Sequence, residues 1–139
     1  MEPLAPIPDP ESAPYWEAAA DGRLLVKRCS ECGRNHWYPR DHCPHCQSAV
    51  TSWEETAGRG TIYSWTTVRR PQSAAFADRA PYSLALVELE EGPRVLGFLG
   101  DSGAAPTIGA PVEVSFEPAG STALPVFHLV EPAGAPDAG

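Results

Sequence analysis

From residue 61 onward, apolar residues come in short runs, each closed by glycine or proline: TIYSWTTV (61–68), YSLALVELE (82–90), RVLGFLG (94–100), APVEVSFEP (110–118) and LPVFHLV (124–130). A period of two puts every second side chain on one face of a sheet, and in VEVSF it brings Val112, Val114 and Phe116 together. The pattern predicts five β-strands. Five short strands with a glycine-rich break fit a small closed barrel such as an OB-fold, and a five-stranded sandwich or an SH3-like barrel fits the count as well. Upstream the pattern changes. Ser12 reads as a helix N-cap, Pro14 suits the first turn, and YWEAAAD carries the helix to Gly22. RLLVKRC (23–29) reads as a strand, and SWEETAGRG (52–60) as a linker with a glycine turn. The layout predicted is an extended arm and short helix over 1–22, a cysteine module over 23–51, a barrel over 52–131 and a disordered tail, PAGAPDAG, over 132–139.

A helix of about nine residues is too short to persist alone in water. This one carries Tyr15 and Trp16, two large rings that need a surface to cover them. It therefore docks, either on its own chain or on a partner. Neighbouring helix positions diverge by about 100°, so one ring can face the chain while the other faces outward.

Sixteen prolines and twelve glycines among 139 residues argue against a helical bundle and for strands joined by turns. The net charge of −8, with Lys27 the only lysine, makes the surface as a whole repel phosphate backbones, so general nucleic-acid binding is disfavoured. No run approaches the roughly 18 apolar residues of a membrane span, and MEPLAPIPDPES lacks the basic and apolar regions of a secretion signal. A cytoplasmic protein with reduced thiols is the expectation.

All four cysteines lie in CSECGRNHWYPRDHCPHC (29–46), as two CxxC pairs, Cys29/Cys32 and Cys43/Cys46, with ten residues between them. Each pair lets two sulfurs reach one ion from a tight turn, and two facing turns complete a tetrahedral thiolate set, the closed geometry of structural zinc. Gly33 and Pro44 are suitable turn residues. Rubredoxin-type iron uses the same knuckles, and a dithiol redox pair is a third reading, although neither CxxC has the helix N-terminus in a βαβ setting that redox motifs use. With four thiolates bound, no position stays open for a catalytic water. His36, His42 and His45 then flank the ligands rather than replace them. Arg23, Lys27, Arg28, Arg34 and Arg40 are half of the ten basic residues, and their place around the cluster offsets a metal–thiolate centre of charge −2.

The order of these motifs resembles a known family. PYW before the ribbon, CSECG, the PR of YPRDHCPHC and the GRGTIYSWT entry to the barrel are similar to those of the bacterial and archaeal zinc-ribbon/OB-fold proteins, a domain of unknown function associated with acyl-CoA enzymes. The resemblance covers roughly residues 8 to 130 and includes all four ligand positions. It implies a mostly β fold: an N-terminal helix, a rubredoxin-like four-cysteine zinc ribbon and a C-terminal five-stranded OB-fold barrel. It also implies a non-catalytic subunit that partners a thiolase-like enzyme, such as a lipid-transfer-type aldolase acting on steroid side-chain CoA esters, or alternatively a MaoC-like hydratase.

Should acyl-CoA reach the barrel, Arg69, Arg70 and Arg79 are the available phosphate contacts, and Phe76 could cover the adenine or acyl chain; a solvated loop explains the same residues without a ligand. His128 has no acid or nucleophile beside it in sequence and reads as a packed or edge residue. The alternative function is a single-stranded nucleic-acid module, for which Tyr63 and Trp65, alternating on one strand face, would be the stacking platform.

Overall fold

The computed structural model describes residues 5–72, 74–100 and 105–130; the expected tail at 132–139 and the first four residues of the arm lie outside the described residues. Helix α1 spans Ala13–Ala20. A three-stranded antiparallel sheet follows, with β1 (Leu25–Cys29) between β2 (Asn35–His36) and β3 (Thr51–Glu55). The five runs of the C-terminal part form β4 (Arg59–Val68), β5 (Tyr82–Leu89), β6 (Arg94–Leu99), β7 (Pro111–Ala119) and β8 (Thr122–Leu129), with a one-turn helix α2 (Ala74–Ala77) between the first two. They close into a barrel in the order β4-β5-β6-β8-β7, in which the β6–β8 pairing is parallel and β4–β7 completes the ring. A five-stranded barrel of this order is the OB-fold, which decides among the architectures that the strand count left open.

Residues 51–55 are not part of a linker. They pair with β1 from Cys29↔Thr51 to Leu25↔Glu55. Ser52, Glu54 and Glu55 on an edge strand of a small sheet look like a solvated connection in sequence, because such a strand need bury little. The connection proper is shorter, and at its end Gly58, with φ +75°, lies where a side chain would strike Val114.

The helix starts where the sequence places it, with Ser12 at the N-cap and Pro14 in the first turn, but the bonding there is different. The Ser12 side chain makes no cap bond; its hydroxyl donates to Asp9 Oδ1 at 2.8 Å, and the same carboxylate oxygen accepts the Ser12 backbone N–H at 2.8 Å. These bonds hold the Asp9 carboxyl below its ordinary pKa. Asp9 thus fastens the turn that leads into the helix.

A single hydrophobic core joins the parts. Tyr15 from α1 and Leu24 and Val26 from the β1 region belong to the same buried cluster as Ile62, Val87, Val95, Val112 and Phe127 of the barrel. Val114 and Phe116 pack against it, on the face that the alternation of β7 assigned to them. Gly97 is required beside Phe127, since a Cβ there would sit 2.9 Å from both the ring and the Pro125 carbonyl. The helix is tied to the barrel as well: Thr122 Oγ1 donates to the Trp16 carbonyl at 2.7 Å. Of the two rings on α1, Tyr15 is the inner one, 1 % exposed, and Trp16 is only partly covered.

Candidate metal centre and apolar groove

The four cysteines meet at one point, their sulfurs all within 4.8 Å of one another. Cys29 closes β1, and the turn after it places the Gly33 N–H on the Cys29 carbonyl at 3.0 Å with Gly33 at φ +76°. The second knuckle repeats the first: Gln47 N–H donates to the Cys43 carbonyl at 2.7 Å with φ +67°. Gln47 thus takes the left-handed position that glycine takes in the first turn. Backbone N–H groups also point at the sulfurs, from Cys32 to Cys29 Sγ at 3.5 Å and from His45 to Cys43 Sγ at 3.3 Å.

Sulfur separations of 3.5 Å (Cys29–Cys46) and 3.7 Å (Cys32–Cys43) are far too long for disulfides, and all four thiols are free. They are close to the roughly 3.8 Å edge of a tetrahedron with 2.3 Å metal–sulfur bonds. The balance of charge in the cluster agrees with a site built for a cation. The backbone N–H of Cys32 holds Cys29 down to about 6. Cys43 is lowered too: burial opposes its ionisation, but the backbone N–H groups of Cys46 and His45 outweigh it. Cys46 gains from the Ser48 backbone but is pushed up to about 12 by the sulfurs of Cys29, Cys32 and Cys43. Four thiolates this close repel one another, so without a cation the cluster keeps a proton. The donor set fits a soft, four-coordinate ion.

The histidines flank this centre. His42 and His45 are exposed, and Arg34 Nη1 donates to His45 Nδ1 at 3.4 Å. His36 is 4 % exposed, and neither ring nitrogen has a hydrogen-bond partner among the described residues. The basic cluster is less unified than its sequence spacing implies. Arg23 pairs with Asp21 and Glu55, Arg40 with Glu11, and Lys27 lies 4.7 Å from the Trp53 ring centre.

A second feature was not legible in any one segment. Between α1, the ribbon and the barrel runs an apolar cleft of about 420 Å³, walled by Trp16, Trp37 and Tyr38 on one side and by Phe76, Phe98 and Leu124 on the other. Of the four residues considered for CoA, Phe76 reaches this cleft, where it packs on Tyr82 and Phe98 at 5.9 and 6.1 Å. Arg79 faces Glu117: its Nη2 donates to Glu117 Oε1 at 2.9 Å, its Nη1 lies 2.8 Å from Oε2, and the guanidinium lies 4.6 Å from the Phe98 ring centre. Arg69 and Arg70 are exposed just beyond the end of β4.

The stacking platform expected of Tyr63 and Trp65 is broken by a bulge. The β4–β5 register slips between Ile62 and Ser64, so Tyr63 falls on the side of Leu86 while Trp65 faces Ala85 across the strands. Both rings are exposed, at 46 % and 40 %, but on opposite faces, and Arg94 lies 3.7 Å over the Tyr63 ring. His128 has a neighbour that sequence proximity hid. Ser115, on the adjacent strand, shares a 2.7 Å hydrogen bond with its Nε2.

Comparison with known proteins places these features together. Residues 16–52 match the family described as "ChsH2, rubredoxin-like zinc ribbon domain", and residues 53–117 match "ChsH2, C-terminal OB-fold domain". A solved structure titled "Ltp2-ChsH2(DUF35) aldolase" contains a chain 38 % identical, with a TM-score of 0.76, covering 89 % of this chain and 98 % of that one. A "Probable enoyl-CoA hydratase alpha subunit" of Thermomonospora curvata is 38 % identical over 126 residues, which are 88 % of this chain but 38 % of that protein. A "DUF35 domain-containing scaffold protein" of Pyrococcus furiosus is 39 % identical over 87 residues, 63 % of each chain. The chain thus spans less than two-thirds of the length of these two curated relatives.

Proposed function

We propose, since this chain belongs to the ChsH2-type (DUF35) family of zinc-ribbon/OB-fold proteins, that it is a non-catalytic accessory subunit of a thiolase-superfamily aldolase acting on acyl-CoA esters. The observation that carries this reading is the likeness to the ChsH2 chain of an aldolase, 38 % identical and covered over 98 % of its length. The scaffold name of the archaeal relative points the same way. Zinc is the ion, held by Cys29, Cys32, Cys43 and Cys46, and its role is structural: four cysteine ligands complete its shell, and it fastens a ribbon too small to fold unaided. Acyl-CoA at the interface would meet Arg69 and Arg70, the exposed arginines beside the loop that carries Phe76. The workplace is the cytoplasm, where thiols stay reduced; no helix among the described residues is long and apolar enough to cross a membrane.

A second partner class has its own support, because the Thermomonospora curvata relative is named as a hydratase subunit. One experiment separates the two. A tagged copy purified from its host should bring down a thiolase-like subunit in stoichiometric amount, with one zinc per chain by elemental analysis. A stoichiometric hydratase instead would move the protein to that class of assembly. Retro-aldol or thiolytic turnover by the isolated chain, or a colour and iron content, would overturn the reading.

A further inference from the structure

We infer, on the basis of the accessory-subunit reading, that the apolar cleft and the barrel face beside it dock an uncharged, apolar segment of the aldolase subunit. The surface has three contributors. Trp16 comes from α1, Trp37 and Tyr38 from the ribbon, and the barrel supplies the outward-facing side chains of β5 and β6. On those strands Leu84 pairs with Phe98 and Leu86 with Leu96, all on the face opposite the buried Ala85, Val87 and Val95. Leu96 lines the cleft and is still 49 % exposed. Beyond its mouth the apolar surface continues over Leu86 to Tyr63, itself 46 % exposed. A small ligand would fill the cleft and leave that extension wet. A chain segment covers both.

Charge selects the occupant. Arg40, 5.5 Å from the Tyr38 ring centre, is paired with Glu11, and Arg79, which caps Phe98, is held by Glu117. Arg94 lies over Tyr63 and opposite Glu88. The cations that touch the rings of this surface, Arg40, Arg79 and Arg94, are already met by the chain's own carboxylates or rings, and the exposed Arg69 and Arg70 are not among the residues that line the cleft. An anionic headgroup or an acidic peptide would have to break such pairs, whereas an uncharged apolar segment leaves them in place. The aromatic rings that concentrate here are the residue types on which interface energy concentrates.

The test uses the full chain with its zinc, titrated by calorimetry against the aldolase subunit. Leu96→Glu places a charge at the centre of the surface. Ile108→Glu places the same charge on a residue that is 65 % exposed and outside the cleft lining. Both variants should keep one zinc and the wild-type circular dichroism, since both sites face solvent. Leu96→Glu should bind at least tenfold more weakly, and Ile108→Glu within twofold of wild type. Equal affinities for the two variants would overturn the docking face while leaving the accessory-subunit reading intact; a wild-type chain that does not bind the aldolase at all would instead defeat that reading. A naphthalene-sulfonate dye bound in the cleft should be displaced by the aldolase subunit. Displacement by palmitate and not by the subunit would assign the cleft to a lipid, and a dimer of the chain abolished by Leu96→Glu with unchanged aldolase affinity would assign it to a second copy; either result overturns the inference.

Discussion

Cys29 and Cys43 are the buried half of the sulfur cluster, Cys32 and Cys46 the exposed half. Serine at position 43 keeps the size of the side chain but has no thiolate to offer, so Cys43→Ser should lose most of its bound metal on elemental analysis. If the ribbon draws its folding energy from the proposed ion, it must then soften: a loss of only about 3 kcal/mol lowers the melting temperature of a chain this size by roughly 10 °C. Full metal content with an unchanged melting point would show that the cluster is not the ion site. His36 offers a different test. Burial first, then the nearby charges of His45 and Lys27, hold its pKa below the ordinary 6.5. In the unfolded chain the same imidazole takes its proton near 6.5, so as pH falls below that value the unfolded state binds a proton that the native state refuses, and stability drops. His36→Phe removes this proton linkage. The variant should lose less stability than wild type between pH 6.5 and 5 at equal zinc loading. Parallel melting-temperature profiles for the two proteins would rule that out.

Among the elements, the barrel strands were legible because each alternates or runs apolar between glycine and proline breaks, and because one residue of slip would turn the core face of a strand to water. Strand β3 was hidden by its glutamates, and the bulge in β4 by the fact that a register slip leaves no mark on a single strand. The Cys pairs were fully legible: their spacing is local, and two turns can bring four sulfurs together in few other ways. The cleft was not, since Trp16, Trp37, Phe76 and Leu124 come from four separate segments that only the closed fold brings together. The loop carrying α2 shows the same limit. In sequence Arg79 is one of three loop arginines, and only the fold sets it against Glu117, with both side chains about one-third exposed. A half-buried pair held by a charge-assisted hydrogen bond and backed by a ring is stronger than most surface pairs, worth on the order of 1 kcal/mol after solvent screening. Arg79→Ala should therefore free the loop without unfolding the barrel. Limited proteolysis should cut between residues 69 and 81 several times faster than in wild type, with the melting temperature lowered by only a few degrees. Unchanged cleavage would mean that Phe76, packed on Tyr82 and Phe98, holds the loop unaided.

At the scale of the whole molecule, helix, ribbon and barrel are three pieces of sequence with one interior. Tyr15, Leu24 and Val26 lie in the same buried cluster as Phe127 and the barrel valines, and the helix carries a hydrogen bond from Thr122 at 2.7 Å. If the ribbon were an independent module, removing its metal would unfold it alone and leave the barrel standing. A shared core predicts otherwise: ribbon residues that lose their fold withdraw Leu24 and Val26 from the barrel's own packing, and each large side chain withdrawn from a core costs about 2–5 kcal/mol. The metal, none of whose four cysteines lies on a barrel strand, should therefore set the stability of the barrel. The expected result is one cooperative transition for the zinc-loaded chain, followed equally by the fluorescence of Trp53 in the ribbon and of Trp65 in the barrel in paired variants that each keep only that one of the four tryptophans. Chelation should move both reporters to lower temperature together. Two separated transitions, with the Trp65 signal indifferent to chelator, would show that ribbon and barrel merely touch. A joint shift would mean that the ion that closes the ribbon also holds in place the three-part surface inferred to dock the aldolase subunit, so that removing the metal should weaken that docking too.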